Sequence, residues 1–220
     1  PLDMTYQVGT VTNQYKKVTV DVQKRADNTD DGEAYGDAEL SGAVYMLYRD
    51  AACTQPATVY TSENGTYTKT CAGYTTDVEG KFSTDFIRCG TTYYLKEVSP
   101  PQGFLLSDEV TPVEADGSTY SVEWTYDAVS KRVKDHEIFN TISVIKYCAD
   151  PEESNVGDGA GHLLVGEKGA TFQVWLESAG GYEAANDTYE RDTIVCDEEG
   201  VATTKQLAYG TYVVHQTKCG

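Results

Sequence analysis

The chain has 220 residues and a formal net charge of −18, from 35 acidic against 17 basic side chains. That length suffices for one large or two ordinary domains with cores of their own, so folding needs no metal or cofactor. The charge disfavours nucleic acid, whose affinity rests on cations that neutralise phosphates, and it disfavours anionic membrane surfaces. No apolar run is long enough for a transmembrane helix. The acidic residues are scattered, as in "DVQKRADNTDDGEAYGD", which reads as a soluble, self-repelling surface.

In chain order, residues 1 to 16 have neither a charged start nor an apolar signal core, and both ends of the chain look like cuts. "KKVTVDVQK" then alternates, placing Val18, Val20, Val22 and Lys24 on one face of a strand. A second strand, "AVYMLY", follows Gly42. Cys53 and Cys71 flank "TQPATVYTSENGTYTKT", which reads as a hairpin around Glu63-Asn64-Gly65; a local disulfide stapling it is one expectation, two unrelated buried thiols the other. "YYLKEVSPPQGF" puts Tyr93, Leu95 and Glu97 on one face and ends in a proline turn. Further turns fall at "VEGK" and "EADG", and no segment carries a capped helical stripe, so the spacing predicts an all-β chain of short strands in sandwich form. The six cysteines contain no CxxC pair and the three histidines are scattered, which argues against a zinc or redox site and for secretion.

An internal repeat organises these strands. "LSGAVYMLY" is echoed by "EKGATFQVW", with Gly42 matching Gly169 at 169 − 42 = 127. Asp77-Val78-Glu79-Gly80 is echoed by Asp197-Glu198-Glu199-Gly200 at 197 − 77 = 120, and Glu97 by Gln216 at 216 − 97 = 119. Three landmarks in one order, with slowly drifting offsets, predict a tandem array of beads on a string. Residues 1–16 are then the last strand of a preceding repeat, 17–141 a complete domain, and 142–220 a second domain lacking its final strand.

Parity selects a constellation in the complete repeat. Lys24 shares a face with three valines, Glu97 with Tyr93 and Leu95, and Asn140 with Ile138 and Ile142. A lone lysine or glutamate in such a place is as readily explained by a strand that ends and lets the side chain reach solvent. Together the three have a shared chemistry: burial lowers a lysine pKa and raises a glutamate's. The neutral amine can then attack the carboxamide while the acid shuttles protons and ammonia leaves.

These residues carry a resemblance. "VTVDVQK", "LSGAVYMLY", "DVEGKF", "YYLKEVSPPQGF" and the closing "FNT" resemble the CnaB-type, or SpaA-type, immunoglobulin-like domains of Gram-positive surface adhesins and sortase-assembled pilins. The most specific element is Tyr93-x-Leu95-x-Glu97 followed by Pro101, Gly103 and Phe104. In that family a first-strand lysine joins an asparagine or aspartate on the last strand, assisted by the boxed glutamate. The resemblance thus implies tandem CnaB-type β-sandwich domains, with a Lys24–Asn140 isopeptide bond catalysed by Glu97. It implies no cofactor.

In the second repeat the equivalents are Lys146 and Gln216, and a glutamine cannot exchange protons as an acid does. Asn13 is the corresponding partner for a preceding repeat. The functional expectation is a stalk segment of a cell-surface adhesin or pilin, extracellular, with neighbouring repeats as partners. The alternative is a module holding a host protein or glycan through Tyr-rich loops in residues 60–76. A turnover enzyme lacks support: there is no nucleophile elbow, phosphate loop, metal cluster or paired-carboxylate signature.

Overall fold

The computed structural model describes residues 15–27, 32–115, 121–123, 133–150 and 163–220. Its first half is built from β1 (Lys17–Ala26), β2 (Val44–Tyr48), β3 (Thr58–Tyr60), β4 (Thr68–Thr70), β5 (Tyr74–Thr75), β6 (Lys81–Ser83), β7 (Ile87–Arg88), β8 (Thr91–Ser99), β9 (Val110–Ala115), β10 (Ser121–Glu123) and β11 (Val133–Asp135). Then come β12 (Phe139–Asn140), β13 (Ser143–Ile145), β14 (Tyr147–Asp150), β15 (Leu163–Gly166), β16 (Thr171–Leu176), β17 (Arg191–Val195), β18 (Val201–Thr203), β19 (Leu207–Ala208) and β20 (Tyr212–Lys218). One short 3₁₀ turn follows β16. No helix among the described residues is long and apolar enough to cross a membrane.

Alternation in the sequence becomes alternation in burial. Along β1, Val18, Val20 and Val22 are buried against Tyr45, Leu47, Tyr93, Leu95 and Val113. Each such valine contributes about 1.5–3 kcal/mol by leaving water. β1 is the centre of one sheet, paired antiparallel with β6 and β7 and parallel with β10 and β11. The opposing sheet has the order β5-β2-β8-β9 and supplies the other half of the core. The β1–β11 register sets Lys24 opposite Val133 and Ala26 opposite Asp135. First and last strands of this unit are therefore parallel neighbours.

A second core, of Ala170, Phe172, Val174, Ile194, Cys196, Ala202 and Leu207, lies against the sheet β17-β16-β20 and the pair β13-β18. The same bonds recur in both halves. Lys24 N–H donates to Gly80 O at 2.7 Å, and Lys146 N–H to Gly200 O at 2.8 Å. Thr84 and Thr204 each receive a backbone N–H on the hydroxyl, from Val20 and Ile142. β2 pairs β8 with Tyr45 opposite Glu97, and β16 pairs β20 with Phe172 opposite Gln216. Gly80, at φ +75°, explains its place in the turn, because a Cβ there would lie 2.6 Å from Lys24 O.

The two cores are in contact through side chains at their junction. Tyr189 packs, with its ring tilted, against Tyr35 and Phe139, with centroids 4.7 and 5.2 Å away. Asp37 accepts the Ser178 hydroxyl at 2.5 Å and Thr211 N–H at 3.4 Å, while its own N–H donates to Tyr209 O at 2.8 Å. β12 pairs with β19, adding a short backbone ladder across the same junction.

Candidate functional site

β1 carries its inward face one step beyond the valines, so Lys24 is delivered into the core with 0% exposure. β8 does the same for Glu97, at 2%, and β11 for Asp135, at 1%. The Lys24 Nζ lies 3.1 Å from Asp135 Oδ2. The approach lacks hydrogen-bond angles: neither the amine nor either Asp135 oxygen has a hydrogen-bond partner. The Pro-Pro-Gln-Gly turn after β8 sets Phe104 over the amine, 3.8 Å from Nζ to the ring centroid. Gly103 permits that turn at φ +83°, and a Cβ there would come within 2.5 Å of Ala38 Cβ. The aromatic lid keeps water from the amine.

Burial drives the lysine pKa below its ordinary value, opposed by the charges of Asp135 and Glu97. Burial pushes Glu97 up to about 8, with the neighbouring Asp135 carboxyl reinforcing the shift. Glu97 Oε2 accepts Ser107 N–H at 3.1 Å, while Oε1 has no partner. An amine that tends to neutrality, a carboxyl carbon beside it and an acid that holds its proton near neutral pH are the ingredients of amide formation.

The expected constellation thus has two of its three members in place. Asn140 is elsewhere: it is exposed on β12, its Oδ1 accepting Thr141 N–H at 3.0 Å, with Leu207 of β19 as its ladder partner. The inward strand ends at Asp135. Beyond it the backbone turns to bond residues 103–105, with Leu105 N–H donating to His136 O and Ile138 N–H to Gly103 O. The parity of Ile138, Asn140 and Ile142 therefore does not refer to the core that holds Lys24, and Ile142 packs against the second core instead. The group beside Lys24 is Asp135. Its signal was present in the "VKD" alternation, where Asp135 shares parity with Val133.

Lys146 occupies the β1-like position of the second half, but its side chain is 34% exposed and pairs with Glu167 at 3.4 Å. Gln216 donates to Lys218 O at 3.2 Å and to Cys219 Sγ at 3.7 Å. Asn13 lies outside the described residues. Cys53 and Cys71 are free thiols. Cys71 is buried with its sulfur receiving Leu47 N–H, whereas Cys53 sits at φ +52° with its thiol directed to Ala51 O, so the pair faces different ways. Among the described tyrosines of residues 60–76, Tyr60 packs under the Lys17 amine and Tyr74 stacks on Phe82. Tyr67 is 74% exposed. Among the described residues no group of His, Cys, Asp and Glu is placed to hold a metal.

The architecture is that of an all-β, prealbumin-like fold. Residues 28–128 match the family model of the SpaA prealbumin-like fold domain. Among solved structures, the chain is similar to the Bacillus anthracis TIE protein, with a TM-score of 0.55 and 19% identity over 93% of this chain and 28% of that one. It also aligns with a streptococcal ancillary pilin, at TM-score 0.40 and 18% identity, covering 92% of this chain and 54% of the other. The SpaE basal pilin of Lactobacillus rhamnosus GG aligns at TM-score 0.36 and 12% identity, over 92% and 82% of the two chains. The chain therefore spans well under two thirds of the first two. No curated protein sequence matches it.

Proposed function

We propose that this chain is a stalk segment of an extracellular bacterial surface protein, an adhesin or pilin, whose domain at residues 17–141 is locked by a Lys24–Asp135 isopeptide bond. The carrying observation is a buried amine 3.1 Å from a buried carboxylate, with a second buried acid, Glu97, beside them. The neutral Lys24 Nζ attacks Asp135 Cγ while protonated Glu97 polarises the carboxyl. In the tetrahedral intermediate Glu97 gives its proton to the oxyanion and, now a carboxylate, takes one amine proton. It returns that proton to a hydroxyl on Cγ, whose C–O bond breaks as water leaves, and recovers a proton from the remaining hydroxyl. The balance is one amine plus one carboxylic acid giving one amide and one water. Proximity in the folded core supplies most of the acceleration, and the reaction turns over once.

The recurrence of the backbone bonds around Lys146 supports reading residues 142–220 as a second domain of the same kind. Its half-exposed lysine and its glutamine favour a copy that works without the bond. With β1 and β11 parallel and adjacent, a pull through the first domain loads the amide directly instead of peeling strands apart. The partners are neighbouring units of the same chain, and neither nucleic acid binding nor membrane insertion is part of the role. Intact mass of the purified chain tests the bond. A loss of one water is expected. An unmodified mass sinks the bond, and a loss of one ammonia returns the partner to an amide side chain such as Asn140.

A further inference from the structure

A fourth polar group stands at this centre without a role. Tyr45 is 2% exposed, the largest of the fully buried side chains, and its hydroxyl has no hydrogen-bond partner. It is the direct cross-strand neighbour of Glu97 in the β2–β8 ladder. Directly opposed residues on one face hold their Cβ atoms about 4.5–5.5 Å apart. Glu97 in turn has one oxygen bonded to Ser107 N–H and the other, Oε1, with no partner. An orphan donor and an orphan acceptor thus face each other in a site where an unmade hydrogen bond is costly. The equivalent pair in the second half is Phe172 opposite Gln216. Where the acid is missing, the hydroxyl is missing too, although the ring is kept.

We propose that Tyr45 is a positioning residue for the cross-linking reaction, its hydroxyl donating to Glu97 Oε1 and fixing the acid's orientation toward Lys24 and Asp135. The inference rests on the isopeptide reading above. Burial and the charges of Asp135 and Glu97 push the phenol pKa up, so the hydroxyl stays a donor wherever the reaction runs. A donor to the ionised form of Glu97 favours that form, and it offsets part of the upward shift that burial imposes. The phenol therefore both aims the acid and lets it accept the amine proton in the middle of the reaction.

The test uses the full chain, recovered unfolded and unlinked from inclusion bodies and refolded from about pH 5 to about pH 10, with water loss followed by intact mass. In the wild type the rate should fall on the alkaline side as Glu97 loses its proton near pH 8. Tyr45→Phe should lower the maximal rate by about tenfold, the weight of one hydrogen bond to a charged group. It should also move the alkaline limb to higher pH, because the carboxylate has lost a donor. The ring fits without its hydroxyl, as Phe172 shows at the equivalent position. In a Glu97→Ala background, Tyr45→Phe should unfold no more easily than Glu97→Ala alone. Rates and limb indistinguishable from wild type overturn the inference, as does a loss of stability in that background. A wild type that loses no water overturns the isopeptide reading as well; one that cross-links beside an unaltered Tyr45→Phe overturns this inference alone.

Discussion

Lys24 and Lys146 begin from the same local structure and end in different chemistry. Lys24 lies within β1 and Lys146 just after β13, and each donates its backbone N–H to the carbonyl of a turn glycine. The first is then sealed by Phe104 and meets Asp135, at no exposure, while the second keeps a third of its side chain in solvent and pairs with Glu167. Hydrogen bonds shape Glu167 in turn, from Gly220 N–H and the Lys146 amine, and hold its carboxyl below the ordinary range. A strand can thus place a lysine without making it a nucleophile. On the proposed reading, what converts it is the covering from other elements: the proline turn after β8, the acid on β8 and the carboxylate on β11.

The largest way to break the difference is to remove the proposed bond. Asp135→Ala or Lys24→Ala should abolish the water loss and forfeit about 4–5 kcal/mol of restraint on the unfolded chain, by the loop-closure model for cross-links. Denaturant unfolding of the purified variants measures this, and pulling through the termini should show the first unit extending where the wild type resists. Asp135→Asn sharpens the chemistry instead. The carboxamide sits where the carboxylate did, so the amide should still form, now with ammonia as the leaving group. A mass loss of water from that variant would mean that another carboxyl reacts.

A smaller effect separates the buried acid from the bond it serves. In Lys24→Met no bond can form, and Glu97 remains buried beside Asp135 without the amine that partly lowered its pKa. Its folded value lies above its unfolded value of 4.5, so its contribution to stability is complete below about 4.5 and is lost as pH rises through the raised folded value. Unfolding midpoints should therefore fall as pH rises above about 5. Adding Glu97→Gln should flatten that dependence. A midpoint that rises with pH in Lys24→Met would show Glu97 to be ionised in the folded chain.

Alternation made most of the sheet legible: the parity of Val18, Val20 and Val22 correctly carries through to Lys24, and that of Tyr93 and Leu95 to Glu97. The place where it failed is instructive. Asn140 shares parity with two isoleucines, but parity has meaning only while a strand lasts, and β11 ends at Asp135. Where a strand stops is decided by tertiary partners, here the 103–105 segment that captures the chain at His136 and Ile138. The hairpin between Cys53 and Cys71 was likewise visible as β3 and β4, yet spacing along the chain says nothing about which way two thiols point. Tyr45 carries no such signal in the sequence. A tyrosine in an alternating strand is ordinary, and its unpaired hydroxyl becomes visible only once the β2–β8 register is known.

The smallest expected effects lie in the second half and at its border. Asn140→Ala removes a hydrogen bond to the next residue on an exposed strand, so it should leave the mass deficit intact and change stability by less than about 0.5 kcal/mol. Gln216→Glu restores the acid at the position matching Glu97. If an acid on that strand were sufficient, the variant should lose a second water or ammonia. The geometry says otherwise. Gln216 is bonded to Lys218 and Cys219 at the end of its own strand, whereas Lys146 is engaged by Glu167 and partly open to solvent. A single mass deficit, unchanged from the wild type, is the expected result. A second deficit would mean that the sheet alone, without an aromatic cover like Phe104, is enough to prepare the amine.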